Sequence, residues 1–443
     1  MVPPPDVSAL KAHLRPEQIL TSATEFEALI TPWNGAITHR PAVVVRCETV
    51  TDVQAVVAFA GSQGIPLSVR GRGHDWAGRA LRDGGITIDL AALNSVRVDP
   101  VTRQAVVGGG TSIGELLSAT GEHGLVAVTG TVASVGVVGL ATGGGYGPLS
   151  GRYGLAADNL TGADVVLADG SLVTADDDLL WALRGGGGNF GVVVSARFDV
   201  HRVPSIVAGT VMYPLTQAAQ VLSRLRETEF PDELYVLSAF LSGPDGTPLL
   251  LVSATWCGDA ATGLAEDGPV HALARLGTPV MAEVAEQSLA GSAAAMSAGF
   301  PYGRHVDLRT RSVPEVSDEI VDVLTEHFAR VPSPLSTVAL HAFGGAAARV
   351  APDATAFGLR TPHRLIEMIS LWPDASRSAE NRRWTADLDE ALRPFALPGG
   401  YANLLGPGAT DQIPFSFGAN ATRLRSIKEK YDPRGVFTAI PLP

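Results

Sequence analysis

Between residues 41 and about 204 the apolar positions fall in short β-branched runs separated by glycine-rich turns. Val43–Arg46 reads as a strand. Thr51–Ser62 reads as an amphipathic helix, because Val53, Val56, Val57 and Ala60 recur at helical spacing. Pro66–Val69 and Ile86–Leu90 are predicted strands. Ala163–Ala168 and Leu172–Ala175, joined by Asp169-Gly170, predict a hairpin, and Val192–Val200 a long closing strand. Beyond about Ser205 the glycine density drops. Longer strands at Pro248–Thr255, Thr337–Ala342 and Ile366–Leu371 mix with helices at Thr216–Arg226, Val316–Phe328 and Ala379–Leu392. That pattern predicts an antiparallel sheet with helices on one face. Residues 1–40 read as a polar lead-in with a short helix around Glu25–Ile30. The tail from Pro398 reads as a glycine turn, then a helix capped by Asn420 and ended by Asp432-Pro433. The fold class expected is α+β with mixed sheets.

Composition narrows the function more than the fold. A chain of 443 residues exceeds one hydrophobic core, so two or three domains are expected. Its 46% apolar and 18% charged residues describe an ordinary folded protein. A net charge of −12 argues against nucleic acid or an anionic membrane as partner. Cys47 and Cys257 form neither a disulfide framework nor a CxxC pair. The N-terminus lacks a basic region followed by an apolar run, and no stretch of about eighteen apolar residues occurs, so a cytoplasmic protein is expected. Only Lys11, Lys428 and Lys430 are lysines among 33 basic residues, the usage of a GC-rich bacterial genome. The ten histidines include no HxH or HExxH spacing, so no metal site is expected.

Candidate chemistry concentrates in two glycine-dense stretches. Val69–Gly78, VRGRGHDWAG, places His74 inside a turn in which Gly71 and Gly73 let successive N–H groups face one concavity, suited to a pyrophosphate. About sixty residues on, Gly130–Gly147, GTVASVGVVGLATGGGYG, leaves backbone bare of side chains where something else must approach closely. Alternation at Val135, Val137, Val138 and Leu140 marks it as ordered. Together the two loops point to one long dinucleotide. Two familiar patterns carry nothing. Gly186–Gly191 fits GxGxxG, but a helix precedes it and a strand follows, the reverse of a dinucleotide fingerprint. Gly110–Gly114 fits GxSxG, yet Ser112 and Glu115 form a capping box that accounts for both residues.

With RYGLAADNL (Arg152–Leu160), DDDLLWALRGGGGNFGVV (Asp176–Val193), GGYANLLG (Gly399–Gly406) and NATRLRSIKEKYDPRGVF (Asn420–Phe437), these motifs resemble the berberine-bridge-enzyme-like FAD-linked oxidases, of the wider p-cresol-methylhydroxylase-type FAD fold. The middle agrees more loosely, through HAFGGAAARVAPDATAFGLR (His341–Arg360). The resemblance runs in order over nearly the whole chain. It implies a split FAD-binding domain over residues 30–205 and 396–443, around a substrate-binding domain at 206–395, with 1–29 as lead-in. It makes His74 the covalent ligand of the flavin 8α-methyl carbon. The Gly71–Asp75 amides would bind the pyrophosphate, with Arg70, Arg72, Gly73 and Gly78 in the same cofactor wall. Gly130, Ser134, Val135, Gly139, Gly144, Gly145 and Gly147 would run along the flavin, joined by Asn159, Val192 and Asn403. Val135 falls where oxygen access to the ring is gated, with a residue that resembles the oxygen-reactive members.

By the same resemblance Tyr401 is the base near flavin N5 and Tyr146 a substrate-facing residue. Apart from the resemblance, the second domain offers Tyr302, Arg304 and His341 as substrate-side candidates. Arg304 and His341 could supply the positive charge that a tyrosine base needs near neutral pH. Val132 occupies the position of a second flavin-linking cysteine, so one covalent bond is expected. Arg72 and Asp75 replace the common glycine and serine, and the Asp75 carboxylate must turn away from a pyrophosphate, toward Arg72 or Arg79. The expected activity is hydride removal from a C–H beside a hydroxyl or amine of a small secondary metabolite, with O2 as electron acceptor. The alternatives are a flavin-dependent oxygenase or cyclisation catalyst in polyketide tailoring, and a flavin-free scaffold.

Overall fold

The computed structural model describes residues 6–22, 24, 26 and 30–443. The helix expected around Glu25–Ile30 falls mostly on residues outside that set. The first sheet comprises β1 (Ile19–Leu20), β2 (Val43–Arg46), β3 (Leu67–Arg70) and β4 (Ile86–Asp89), in the order β1-β2-β4-β3. β2 and β3 run parallel to β4, and β1 antiparallel to β2. Helix Val50–Gln63 links β2 to β3. Thr49 starts it by accepting the Asp52 N–H, while the Asp52 carboxylate accepts the Thr49 N–H. Gly64, at φ +64°, ends it. The stripe Val53, Val56, Val57 and Ala60 is fully buried against this sheet, each valine contributing about 1.5–3 kcal/mol.

The second sheet is antiparallel and follows the path β5-β6-β10-β8-β9, with β7 pairing the far end of β10. Its strands are β5 (Val96–Asp99), β6 (Gln104–Gly108), β7 (Leu125–Ala127), β8 (Leu160–Val166), β9 (Leu172–Thr174) and β10 (Val192–Arg202). The β8–β9 hairpin turns at Gly170, φ +85°, with the Asp169 carboxylate accepting the Ser171 N–H. Helix Asp177–Gly186 precedes the GxGxxG stretch and β10 follows it, the polarity that excludes a dinucleotide fingerprint. Ser112 and Glu115 cap helix Ile113–Gly121 reciprocally, as their spacing predicts.

The third sheet has seven antiparallel strands, β11 (Ile206–Pro214), β12 (Leu234–Ser242), β13 (Pro248–Trp256), β14 (Met281–Gln287), β15 (His305–Val313), β16 (Thr337–Phe343) and β17 (His363–Trp372). Their order is β14-β11-β13-β12-β16-β17-β15. One face is buried by helices Ala218–Glu227, Asp318–Phe328 and Ser378–Leu392, whose Leu222, Leu324 and Leu388 pack on Val338, Ile366 and Met368. The opposite face looks toward the glycine loops. There Phe343 and Leu365 cluster with Leu155, Phe357 and Tyr401.

Two local expectations are corrected. Asn420 does not cap helix Ala421–Tyr431; its amide donates instead to the carbonyls of Pro352 and Thr355, pinning a distant loop. The apolar alternation around Val137 is a short helix, Val137–Thr142. Its valines 137 and 138 are buried while Gly139 opens outward. No helix among the described residues is long and apolar enough to cross a membrane.

One buried ion pair ties residues 345–360 to the loop before β8. Arg360 reaches both Asp158 carboxylate oxygens, at 2.7 and 2.9 Å, with its side chain 2% exposed. Breaking such a pair leaves an uncompensated carboxylate. Arg360→Ala is therefore expected to lose about 3–5 kcal/mol, read as a lowered urea midpoint at unchanged slope. A loss below about 1 kcal/mol would show that this pair does not hold the loops together.

Candidate active site

The turn after β3 is built around arginines. The Arg70 guanidinium is fixed by Asp89, at the end of β4, at 2.8 Å. Arg72 is held by Glu115, the capping residue of the helix at 113–121. Gly73 takes φ +74°, a left-handed conformation that reverses the chain at little cost to a residue without Cβ. Asp75 settles the charge question raised by the sequence. Its carboxylate turns to Arg79, accepting from both the Arg79 backbone N–H and its guanidinium, and away from the turn. Among the described residues, no backbone N–H from Gly71 to Asp75 has an acceptor within the protein. Arg70 Nε, Arg72 Nε and Arg79 Nη1 are likewise buried without a partner. A concavity of open N–H donors and buried guanidinium nitrogens fits an anionic group such as the pyrophosphate of FAD.

His74 projects from this turn between two rings. Trp33 stacks on it at 5.5 Å with 23° between planes, and Tyr302 meets it edge-on at 5.0 Å. Its Nε2 lies 2.8 Å from Ser134 Oγ, in the second glycine stretch, while Nδ1 has no protein partner among the described residues. Burial, helped by the charge of Arg70, pulls the imidazole pKa down to about 4, so the ring is neutral at physiological pH. Trp33 was not legible as a site residue. It lies in the polar lead-in, and its neighbour Asn34 anchors the segment by bonding the backbone of Trp76 and Val306.

The second stretch receives Tyr401. Gly144 and Gly145 both have positive φ, and a Cβ at Gly144 would lie about 3 Å from the rings of Phe357 and Tyr401. This lets the Gly145 N–H reach the Tyr401 hydroxyl at 2.9 Å. Asn403 Nδ2 donates to the same oxygen at 3.1 Å and to the carbonyls of Gly139 and Leu140. The hydroxyl thus accepts twice, and its own proton has no acceptor among the described residues. Burial pushes its pKa up to about 12, against the two donors, which favour the phenolate.

Around Tyr401 the face of the third sheet turned toward the glycine loops contributes residues that sequence alone did not single out. His363 Nδ1 donates to the Thr361 carbonyl at 2.7 Å, so its Nε2 accepts the Tyr146 hydroxyl at 3.0 Å. Tyr146 packs on Tyr401 at 4.9 Å and on Phe343 at 5.2 Å. Tyr235 Oη lies 2.7 Å from His341 Nδ1, and His341 Nε2 lies 3.4 Å from Glu367. Tyr235, Phe343, Phe357, His363 and Glu367 come together only through strand register and loop packing.

Other expected residues sit elsewhere. Tyr302 donates to the Arg72 carbonyl, and Arg304 bridges Asn34 and contacts Gly299, so both belong to the His74 side. Asn159 spends its amide on Tyr153, Leu155 and His201. Val192 is buried between the first two sheets. Gly78 and Gly147 allow close backbone approach, to Ile37 and His39 and to the Thr129 carbonyl respectively. Val135 lies partly buried near Ile113, whose N–H it accepts. Gly130 packs against Leu140.

Comparison with known proteins shows the family. Residues 41–176 match the FAD binding domain family model, and residues 414–440 the berberine and berberine-like model. The chain is 31% identical over 428 residues to the FAD-linked oxidoreductase aurO of Gibberella zeae, covering 94% of this chain and 83% of that one. It is 37% identical over 236 residues to (R)-6-hydroxynicotine oxidase of Paenarthrobacter nicotinovorans, about half of each chain (51% and 52%). The crystal structure of 6-hydroxy-D-nicotine oxidase from Arthrobacter nicotinovorans superposes with a TM-score of 0.83 at 26% identity, covering 95% of this chain and 96% of that one. The chain belongs to the berberine-bridge-enzyme-like FAD-linked oxidoreductases, with their p-cresol-methylhydroxylase-type fold.

The His363 environment has a pH signature. Burial lowers its pKa to about 4, against about 6.5 in an unfolded chain, so the folded state resists protonation. Between those values the unfolded chain binds more protons, and stability falls as pH drops from about 6.5 toward 4. His363→Phe is expected to flatten that fall by ~1–3 kcal/mol relative to wild type, measured by denaturant titration at pH 4 to 7. Parallel curves for the two proteins would show that His363 is not held neutral.

Proposed function

We propose that this protein is an oxidase that removes a hydride from a C–H bond beside a hydroxyl or amine of a small secondary metabolite, with O2 accepting the electrons. The observation that carries the reading is the run of amides from Gly71 to Asp75, without acceptors among the described residues, with the orphaned guanidinium nitrogens of Arg70, Arg72 and Arg79 beside His74. These groups would hold the pyrophosphate, and His74 would bind the ring end covalently through Nδ1, the nitrogen that Ser134 leaves free. With Val132 in place of a thiol, this is a single link. Gly139 to Gly145 would line the flavin. FAD supplies hydride acceptance at N5 and the subsequent reaction with O2.

The chain's own contribution is position and proton handling. We divide it into a cofactor domain, residues 30–205 with 396–443, and a substrate domain, 206–395. Support comes from helix Ala421–Tyr431 packing into the core of the second sheet, while the third sheet carries a core of its own. Tyr401 takes the proton of the substrate hydroxyl or amine, and the Gly145 N–H and Asn403 amide stabilise the phenolate formed. Tyr146, oriented by His363, faces the substrate. Loss of the bare thiol position also leaves open an oxygenase outcome, which incorporation of labelled O2 into product would distinguish.

A tyrosine with a pKa near 12 is almost wholly protonated at neutral pH, and its phenolate fraction rises tenfold per pH unit. The rate of anaerobic flavin bleaching by substrate should therefore rise with pH through the neutral range. Tyr401→Phe should lower it about 10²- to 10⁴-fold and abolish the slope. An unchanged rate in Tyr401→Phe would remove Tyr401 as the base. Under air, hydrogen peroxide should appear in equal amount to product.

A further inference from the structure

Strand register fixes which side chains face Tyr401. Leu237, His341, Leu365 and Ser312 are directly paired across β12, β16, β17 and β15, as are Ala239, Ala339, Glu367 and Thr310. Directly paired residues share a face, and so do residues two apart. On these four strands that face carries no lysine or arginine. Arg309, Arg311 and Arg364 all fall on the opposite face, where Arg311 pairs with Asp389 of the covering helix. Glu367 is the one acidic side chain on the face of these strands.

Its charge is poorly compensated. Among the described residues its only ionic neighbour is His341 at 3.4 Å, and His341 Nε2 is buried without a hydrogen-bond partner, so the contact is not an aligned bond. His341 Nδ1 is engaged by Tyr235 instead. Opposite Glu367 in register, Thr310 is 2% exposed and its hydroxyl also lacks a partner. The carboxylate, 17% exposed, is felt by Tyr146, Tyr235 and Tyr401, each of whose ionisation it opposes. A half-buried carboxylate without a cation is costly, unless a ligand brings the cation. The rings of Tyr146 and Tyr401, which feel that carboxylate, add attraction for an organic ammonium.

We propose that Glu367 is the specificity-determining residue of this site, and that the substrate is a protonated amine bound by its carboxylate, with Thr310 and the tyrosine rings completing the ammonium site. The proposal rests on the functional reading only in placing the substrate against Tyr401. A neutral sugar or alcohol leaves Glu367 unpaired, and an anion is repelled by it.

The test uses the purified holoprotein and three probes of one shape, benzylamine, benzyl alcohol and benzoate, titrated calorimetrically. Benzylamine should bind at least about tenfold more tightly than benzyl alcohol, with benzoate weakest. In Glu367→Gln that preference should vanish while benzyl alcohol binds as in wild type, with melting temperature and flavin absorbance unchanged. Equal or undetectable binding of the amine by wild type overturns the proposal without needing the variant. So does a preference that survives in Glu367→Gln. A protein lacking flavin absorbance would instead count against the oxidase reading, and the amine preference would still be read separately.

Discussion

The bond from the Gly145 N–H to the Tyr401 hydroxyl joins residues 256 positions apart, and the arrangement of the site depends on it. It exists because Gly144 and Gly145 adopt positive φ and carry no Cβ, Gly144 where the rings of Phe357 and Tyr401 press against the backbone and Gly145 where Ala156 and Leu140 do. Any side chain at Gly144 would push the phenol away from Asn403 and from Tyr146. From that contact the rest follows outward. Tyr146 seats against Tyr401, His363 orients Tyr146, and the face of the third sheet is brought over the glycine loops.

Two opposed effects meet at Tyr401. Removal from water favours the neutral phenol, and the field of Glu367 adds to that preference. The two donors at its oxygen pull the other way, and they are fixed before any substrate arrives, so stabilising the phenolate requires no reorganisation. A cationic ligand at Glu367 would cancel the opposing field and tip this balance toward proton transfer. Binding and proton removal would thereby be coupled through one carboxylate.

The sequence made the His74 turn and most of the helices legible because their signals are local. Glycine spacing marks the turn, and the 3.6-residue stripe from Val53 to Ala60 marks its helix. Strand β7 has only three residues, too few to show a period, and β5 alternates half-buried and exposed positions rather than presenting an apolar run, so neither is legible in the sequence. The helix at Val137–Thr142 was read as alternation because a six-residue element offers too few turns to show its period. Asn420 has the chemistry of a cap, yet a loop carbonyl 65 residues away outbids the helix for its amide. Glu367, Tyr235 and His363 had no local signal at all. Their association is created by register between strands distant in sequence, as is the stacking of Trp33 on His74.

The central claim is that the open amides and arginines of the Arg70–Arg79 turn hold FAD, with His74 as its covalent ligand. The intact mass of the purified protein after denaturation in acid, measured beside His74→Ala, tests this most directly. The account predicts a wild-type mass greater than that of the polypeptide by one FAD, and a bare polypeptide for the variant. A bare polypeptide in the wild type, or an adduct that persists in His74→Ala, would contradict it.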